Sequence, residues 1–188
     1  MNDIEIKNAT ILDGLGNEPY TGNIYVKDGK IVVITHEETY DASVSLDASG
    51  KIVTPGFIDL HTHSDISFLL DSTAQSKVRQ GVTLELIGNC GLSLCAPLIG
   101  DARDMFDTWV SDHTDSYNPT WTDYAGYIEA SKKAKATLNI AFQIGHASLR
   151  LAVMGQDDRS PTADELTEMK RLAAESLDAG ALGFSTGL

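Results

Sequence analysis

From Lys51 onward the chain alternates short apolar runs with helix-patterned stretches, and this alternation limits the folds open to it. The apolar runs cover 52–60, 82–87, 138–144 and 181–184. Between them lie a short helical stretch at 72–80 and helical material over 101–136. The clearest helix covers 162–179: Thr162 and Glu165 have capping-box spacing, and Leu166, Met169, Leu172, Ala173 and Leu177 share a face. Gly180 then stops it. Repeated strand–helix–strand units imply parallel strands joined by right-handed crossovers. An open α/β sheet and a (β/α)8 barrel both satisfy this pattern. Four strands make about half of such a barrel, which takes about 250 residues.

The first part of the chain reads differently. Ile4, Ile6, Ile24 and Val26 alternate with polar residues, the period of half-buried strands. Asp28-Gly29 sits between two apolar runs, a hairpin signal because both positions tolerate positive φ. Two segments are therefore expected: a small N-terminal β unit over 1–50 and an α/β unit over 51–188.

The polar signals fall where the parallel strands end. His61 and His63 follow the first apolar run, spaced by one residue. Residues i and i+2 of an extended strand share a face, so two neutral imidazoles converge, as a divalent metal requires. Cys90 follows the second run in the turn Gly88-Asn89-Cys90-Gly91, where a thiolate would be a soft ligand acceptable to zinc. Asp65 is placed to orient a ligating histidine or to serve as a loop carboxylate. His146 and Arg150 follow the third run and are candidates for contact with metal or substrate, since a guanidinium suits a carboxylate. Glu85, inside the second run, is expected to be buried and paired. Cys95 reads as a packing residue. The sequence contains no phosphate-cradling glycine loop of the P-loop or dinucleotide type.

Bulk properties exclude several classes. The net charge of −13, from 27 acidic against 14 basic residues, argues against nucleic acid and anionic membranes as partners. No apolar run approaches the roughly 18 residues of a membrane span. Met1-Asn2-Asp3-Ile4-Glu5 has no basic n-region, so no signal peptide is expected. Two cysteines make no disulfide framework, which points to a cytoplasmic location. The final run over 181–188 looks like a strand entering a loop, so a longer protein is expected.

Pro55-Gly56-Phe57-Ile58-Asp59-Leu60-His61-Thr62-His63 resembles the first-strand motif of the amidohydrolase superfamily. Gln80-Gly81-Val82-Thr83, Gly88-Asn89-Cys90-Gly91, Ala96-Pro97, the motif from Gly145 to Arg150 and the run over 180–188 resemble the N-acyl-D-amino-acid deacylases, or D-aminoacylases. The resemblance covers nearly the whole chain. It implies the first half of a metal-dependent, TIM-like (β/α)8 barrel, preceded by a small β-sandwich segment. It also implies zinc, one or two ions in the complete protein, with His61, His63 and Cys90 as ligands. The implied reaction is hydrolysis of N-acyl-D-amino acids to a carboxylate and a free D-amino acid. The family's later histidines and catalytic aspartate would lie beyond residue 188. The chain alone is then expected to be inactive, and to self-associate or to pair with the missing half. The alternatives are a cyclic-amide hydrolase of the dihydroorotase or hydantoinase kind, which would need a carboxylated lysine, and a non-catalytic homologue serving as a scaffold.

Overall fold

The apolar run over 52–60 is two strands that belong to two different sheets. Pro55 has no N–H to give to a ladder, and Thr54-Pro55-Gly56 breaks the run. The computed structural model describes residues 1–94, 96–113 and 117–187. Cys95 lies outside them. The chain divides into two compact units, Met1–Gly56 and Phe57–Leu188.

The first unit is one mixed sheet. It contains β1 (Asn2–Ile11), β2 (Tyr20–Lys27), β3 (Lys30–Thr35), β4 (Ala42–Asp47) and β5 (Ile52–Val53), in the order β3-β2-β1-β4 with β5 also on β1. The β2–β3 connection is the expected tight hairpin: Asp28 and Gly29 take φ of 50° and 71°, which fits the right-handed twist of the flanking strands. β4 and β5 run parallel to β1. Ala9, Ile11, Ile24 and Ala48 form the core of this unit. Two cross-strand rows, Leu46–Ile6–Ile24–Ile34 and Val44–Ile4–Val26–Ile31, make one face of the sheet apolar. A single layer with such a face is what a sandwich segment presents.

The second unit holds four parallel strands in sequential order: β6 (Phe57–Asp59), β7 (Val82–Ile87), β8 (Asn139–Gly145) and β9 (Gly183–Ser185). Its helices are α1 (Ser67–Leu70), α2 (Gln75–Val78), α3 (Asp101–His113), α4 (Tyr124–Ala134), α5 (His146–Met154) and α6 (Ala163–Ala179). The result is an open parallel sheet, half of a (β/α)8 barrel. Phe68, Phe106, Tyr127, Ile144 and Leu149 are almost wholly buried within it. Each contributes about 1.5–3 kcal/mol relative to exposure. Tyr127 donates its hydroxyl to the Asp65 carbonyl, which ties α4 to the segment after β6.

Local signals explain the helix ends. Thr162 accepts from the Glu165 N–H and Glu165 accepts from the Thr162 N–H, completing the capping box of α6. Asp123 caps α4 by accepting from the Gly126 N–H. The sequence pattern missed α5, which starts directly after β8, because its first residues read as a strand-end motif. An apolar first run in such a pattern is expected to form a buried strand. Phe57, Ile58 and Leu60 are instead 57%, 58% and 66% exposed, because β6 is an edge strand with β7 on one side only.

Candidate metal centre

β6 ends at Asp59, so His61 and His63 lie in the segment that follows the strand. Backbone and side-chain bonds hold this segment. Asp59 Oδ1 accepts the His61 N–H at 3.2 Å. The Lys77 ammonium, together with that N–H, holds the Asp59 carboxyl below the usual carboxylate range. Thr62, between the two histidines, is buried and shares a 2.8 Å hydrogen bond with Ser64. The two imidazole centroids are 5.7 Å apart.

Cys90 comes from the turn after β7. Gly88, Cys90 and Gly91 all take positive φ, of 77°, 54° and 76°. A Cβ on Gly88 would lie 2.1 Å from the Gln143 carbonyl oxygen, so only glycine lets β8 approach this closely. The turn is pinned from several sides. Asn89 donates to the Thr62 carbonyl at 3.2 Å and to the Leu86 carbonyl at 2.7 Å. The Gly91 N–H donates to Ser185 Oγ at 3.1 Å, and Ser185 donates to the Gly88 carbonyl. The Gly91 carbonyl accepts from the Ala147 N–H at 2.8 Å, at the start of α5.

These two segments bring the three predicted ligands together. His61 Nε2 and Cys90 Sγ are 3.1 Å apart. One ligand atom from each of His61, His63 and Cys90 lies within 4.8 Å of the others, and all three residues are exposed. Among the described residues no other three His, Cys, Asp or Glu side chains converge in this way. The donor set fits zinc: two imidazoles and a thiolate suit a borderline-soft cation. The spacing fits too, since two ligands of one tetrahedral zinc stand roughly 3.5 Å apart at ordinary bond lengths.

Asp65, two residues after His63, is 3% exposed. Burial pushes its carboxyl up to about 6, against the opposing effect of N–H donors that include Gly88 and Leu94. It therefore braces the segment from Gly88 to Leu94 that carries Cys90. His146 occupies the first position of α5, half-buried, with its ring centroid 6.0 Å from that of Phe184. Arg150, one turn further on, donates to the Asp157 and Arg159 carbonyls at 3.2 and 3.0 Å and so clasps the loop after α5. Neither residue joins the three-ligand group. Glu85 is 1% exposed and paired with Lys77 at 3.0 Å. Sequence reading passed over Lys77. The available signal was Glu85 itself, since a carboxylate inside an apolar strand calls for a cation from the adjacent crossover.

The amidohydrolase family model matches residues 45–188. The chain belongs to the amidohydrolase family. It is 37% identical over 187 residues to an N-acyl-D-glutamate deacylase of Alcaligenes xylosoxydans xylosoxydans, covering 99% of this chain and 37% of that protein. It superimposes on the crystal structure of N-acyl-D-glutamate deacylase from Bordetella bronchiseptica, solved with zinc and a phosphonate mimic of the tetrahedral intermediate. That match has a TM-score of 0.84 at 37% identity and covers 100% of this chain and 38% of the other. A D-aminoacylase crystal structure matches with a TM-score of 0.88 at 34% identity, over 100% of this chain and 39% of the other. Within the family, the chain thus aligns with deacylases of N-acyl-D-amino acids and spans less than two-fifths of their length.

Proposed function

We propose that this chain carries part of the metal site of a zinc-dependent hydrolase that cleaves the amide bond of N-acyl-D-amino acids, releasing a carboxylate and a free D-amino acid. The observation that carries this reading is the convergence of His61, His63 and Cys90 within 4.8 Å. Similarity to deacylases over the full chain supports the substrate class. The paucity of cysteine, two in 188 residues, supports a cytoplasmic protein.

In this reading His61 and His63 bind as neutral imidazoles and Cys90 as a thiolate, so metal uptake releases protons. Zinc, when bound, supplies Lewis acidity toward an amide carbonyl and makes water acidic enough to ionise near neutral pH. Asp65, Asn89 and Ser185 hold the Cys90 turn in place. By resemblance, the proton-transferring aspartate lies beyond residue 188, and the 188-residue chain alone turns over no substrate.

Elemental mass spectrometry on dialysed protein tests the metal reading. Zinc is expected in the wild-type chain and reduced in Cys90→Ala. Equal zinc in both would mean that Cys90 is not a ligand. The substrate reading is tested on a chain extended to the relatives' length. Release of D-amino acid from N-acyl-D-glutamate or another N-acyl-D-amino acid supports it. Opening of a hydantoin ring in its place would move the protein to the cyclic-amide hydrolases.

A further inference from the structure

Behind the two histidines lies a charged cluster with no part in the reaction outlined above. Lys77, in α2, directs its ammonium at three acceptors: Asp59 Oδ2 at 2.7 Å, Glu85 Oε1 at 3.0 Å and Thr62 Oγ1 at 3.1 Å. An ammonium has three donors, and here each has an acceptor. The contacts converge on the short stretch that bears both imidazoles. Asp59 also accepts the His61 N–H. Thr62 separates the two histidines. Ser64 follows them, bonds to Thr62 at 2.8 Å and donates to Glu85 at 3.4 Å. Glu85 is anchored in β7, the strand that delivers Cys90. One cation thus links the segment bearing His61 and His63 to the strand leading to Cys90.

We propose that Lys77 is a positioning residue for the metal centre: its ammonium fixes the 59–64 segment so that His61 and His63 face Cys90. The proposal rests on the metal reading given above. It assigns Lys77 no contact with metal or substrate. A role limited to neutralising Glu85 would affect folding stability alone, so the two roles separate on a metal readout.

Cobalt(II) is the probe, because it takes the same nitrogen and sulfur donors as zinc and its visible spectrum reports coordination. Titration of the wild-type chain is expected to give visible bands with thiolate charge-transfer absorption. Lys77→Met, checked for folding by far-UV circular dichroism, is expected to bind cobalt about 10- to 100-fold more weakly, the usual range for residues that orient ligands. Its visible bands should change, while the thiolate absorption remains at saturating cobalt. Lys77→Arg, which keeps the charge and can reach both carboxylates, should recover most of the affinity. A folded Lys77→Met with wild-type cobalt affinity and spectrum overturns the proposal, whatever its melting temperature. If Lys77→Met does not fold, Thr62→Val is titrated in its place, since it keeps the side-chain shape and removes the Lys77–Thr62 contact. Unchanged affinity there also overturns the proposal. Failure of the wild-type chain to bind cobalt would instead refute the metal reading, and the proposal with it.

Discussion

Gly88 offers the sharpest test of how the Cys90 turn is built. Replacing it with alanine brings two separate costs. The residue sits at φ 77°, where a side chain costs about 1–2 kcal/mol. The new Cβ would also lie 2.1 Å from the Gln143 carbonyl oxygen and 3.0 Å from its carbon, both backbone atoms of β8. These cannot rotate away, so β7 and β8 must separate, an overpacking cost of about 1–3 kcal/mol. Together Gly88→Ala should destabilise the second unit by about 2–5 kcal/mol in urea unfolding, and zinc binding should weaken as Cys90 moves away from His61. Gly183→Ala is the control on β9, because its Cβ would meet nothing within 4 Å and its φ is not positive. It should be neutral or stabilise by up to about 1 kcal/mol. If Gly88→Ala unfolded within about 0.5 kcal/mol of wild type and kept its zinc, the close approach of the turn to β8 would be wrong.

Two further outcomes follow from the structure. Glu165 is held at about 2, below its ordinary 4.5, by hydrogen bonds from Arg159 and then from the Thr162 N–H. Its folded pKa is lowered, so its stabilising contribution is complete above that ordinary value and fades as pH falls toward 2. Melting curves of Glu165→Gln should therefore fall less steeply than wild type over that acid window, and parallel curves would refute this. The half-barrel exposes Phe57, Ile58, Leu60, Leu182 and Phe184, each more than half uncovered. Sedimentation velocity should accordingly show concentration-dependent association despite a charge of −13. A single monomeric boundary at all concentrations would contradict an open apolar sheet.

Features set by local chemistry were legible in the sequence, and features set by remote neighbours were not. The Thr162–Glu165 box and Gly180 delimit α6 because a helix end is satisfied within a few residues. Asp28-Gly29 fixes its hairpin for the same reason. The ladder over 52–60 was misread because its apolar pattern says nothing about which sheet each half joins. Pro55 was the clue that a continuous strand is impossible there. Likewise, exposure of β6 depends on how many strands flank it, which no window of nine residues encodes. In the site, His61, His63 and Cys90 were picked out by residue type and spacing. Asp65 and Arg150 bond to backbone N–H and C=O groups, which every residue carries, so no residue type marks those contacts in advance. Lys77 was missed because its three acceptors come from residues 59, 62 and 85 and meet only in the folded sheet.

The left-handed backbone of Cys90 has a consequence for exchange of the ion. A non-glycine residue at φ 54° is held there by the hydrogen bonds that Ser185 and the first turn of α5 make to Gly91. Protein hydrogen bonds therefore fix the backbone that carries the thiol. An arriving cation need not immobilise that loop, and a departing one leaves it standing. Chelation should accordingly empty the centre without melting the turn, so that amide hydrogen exchange at Gly91 stays slow and reloading needs no refolding.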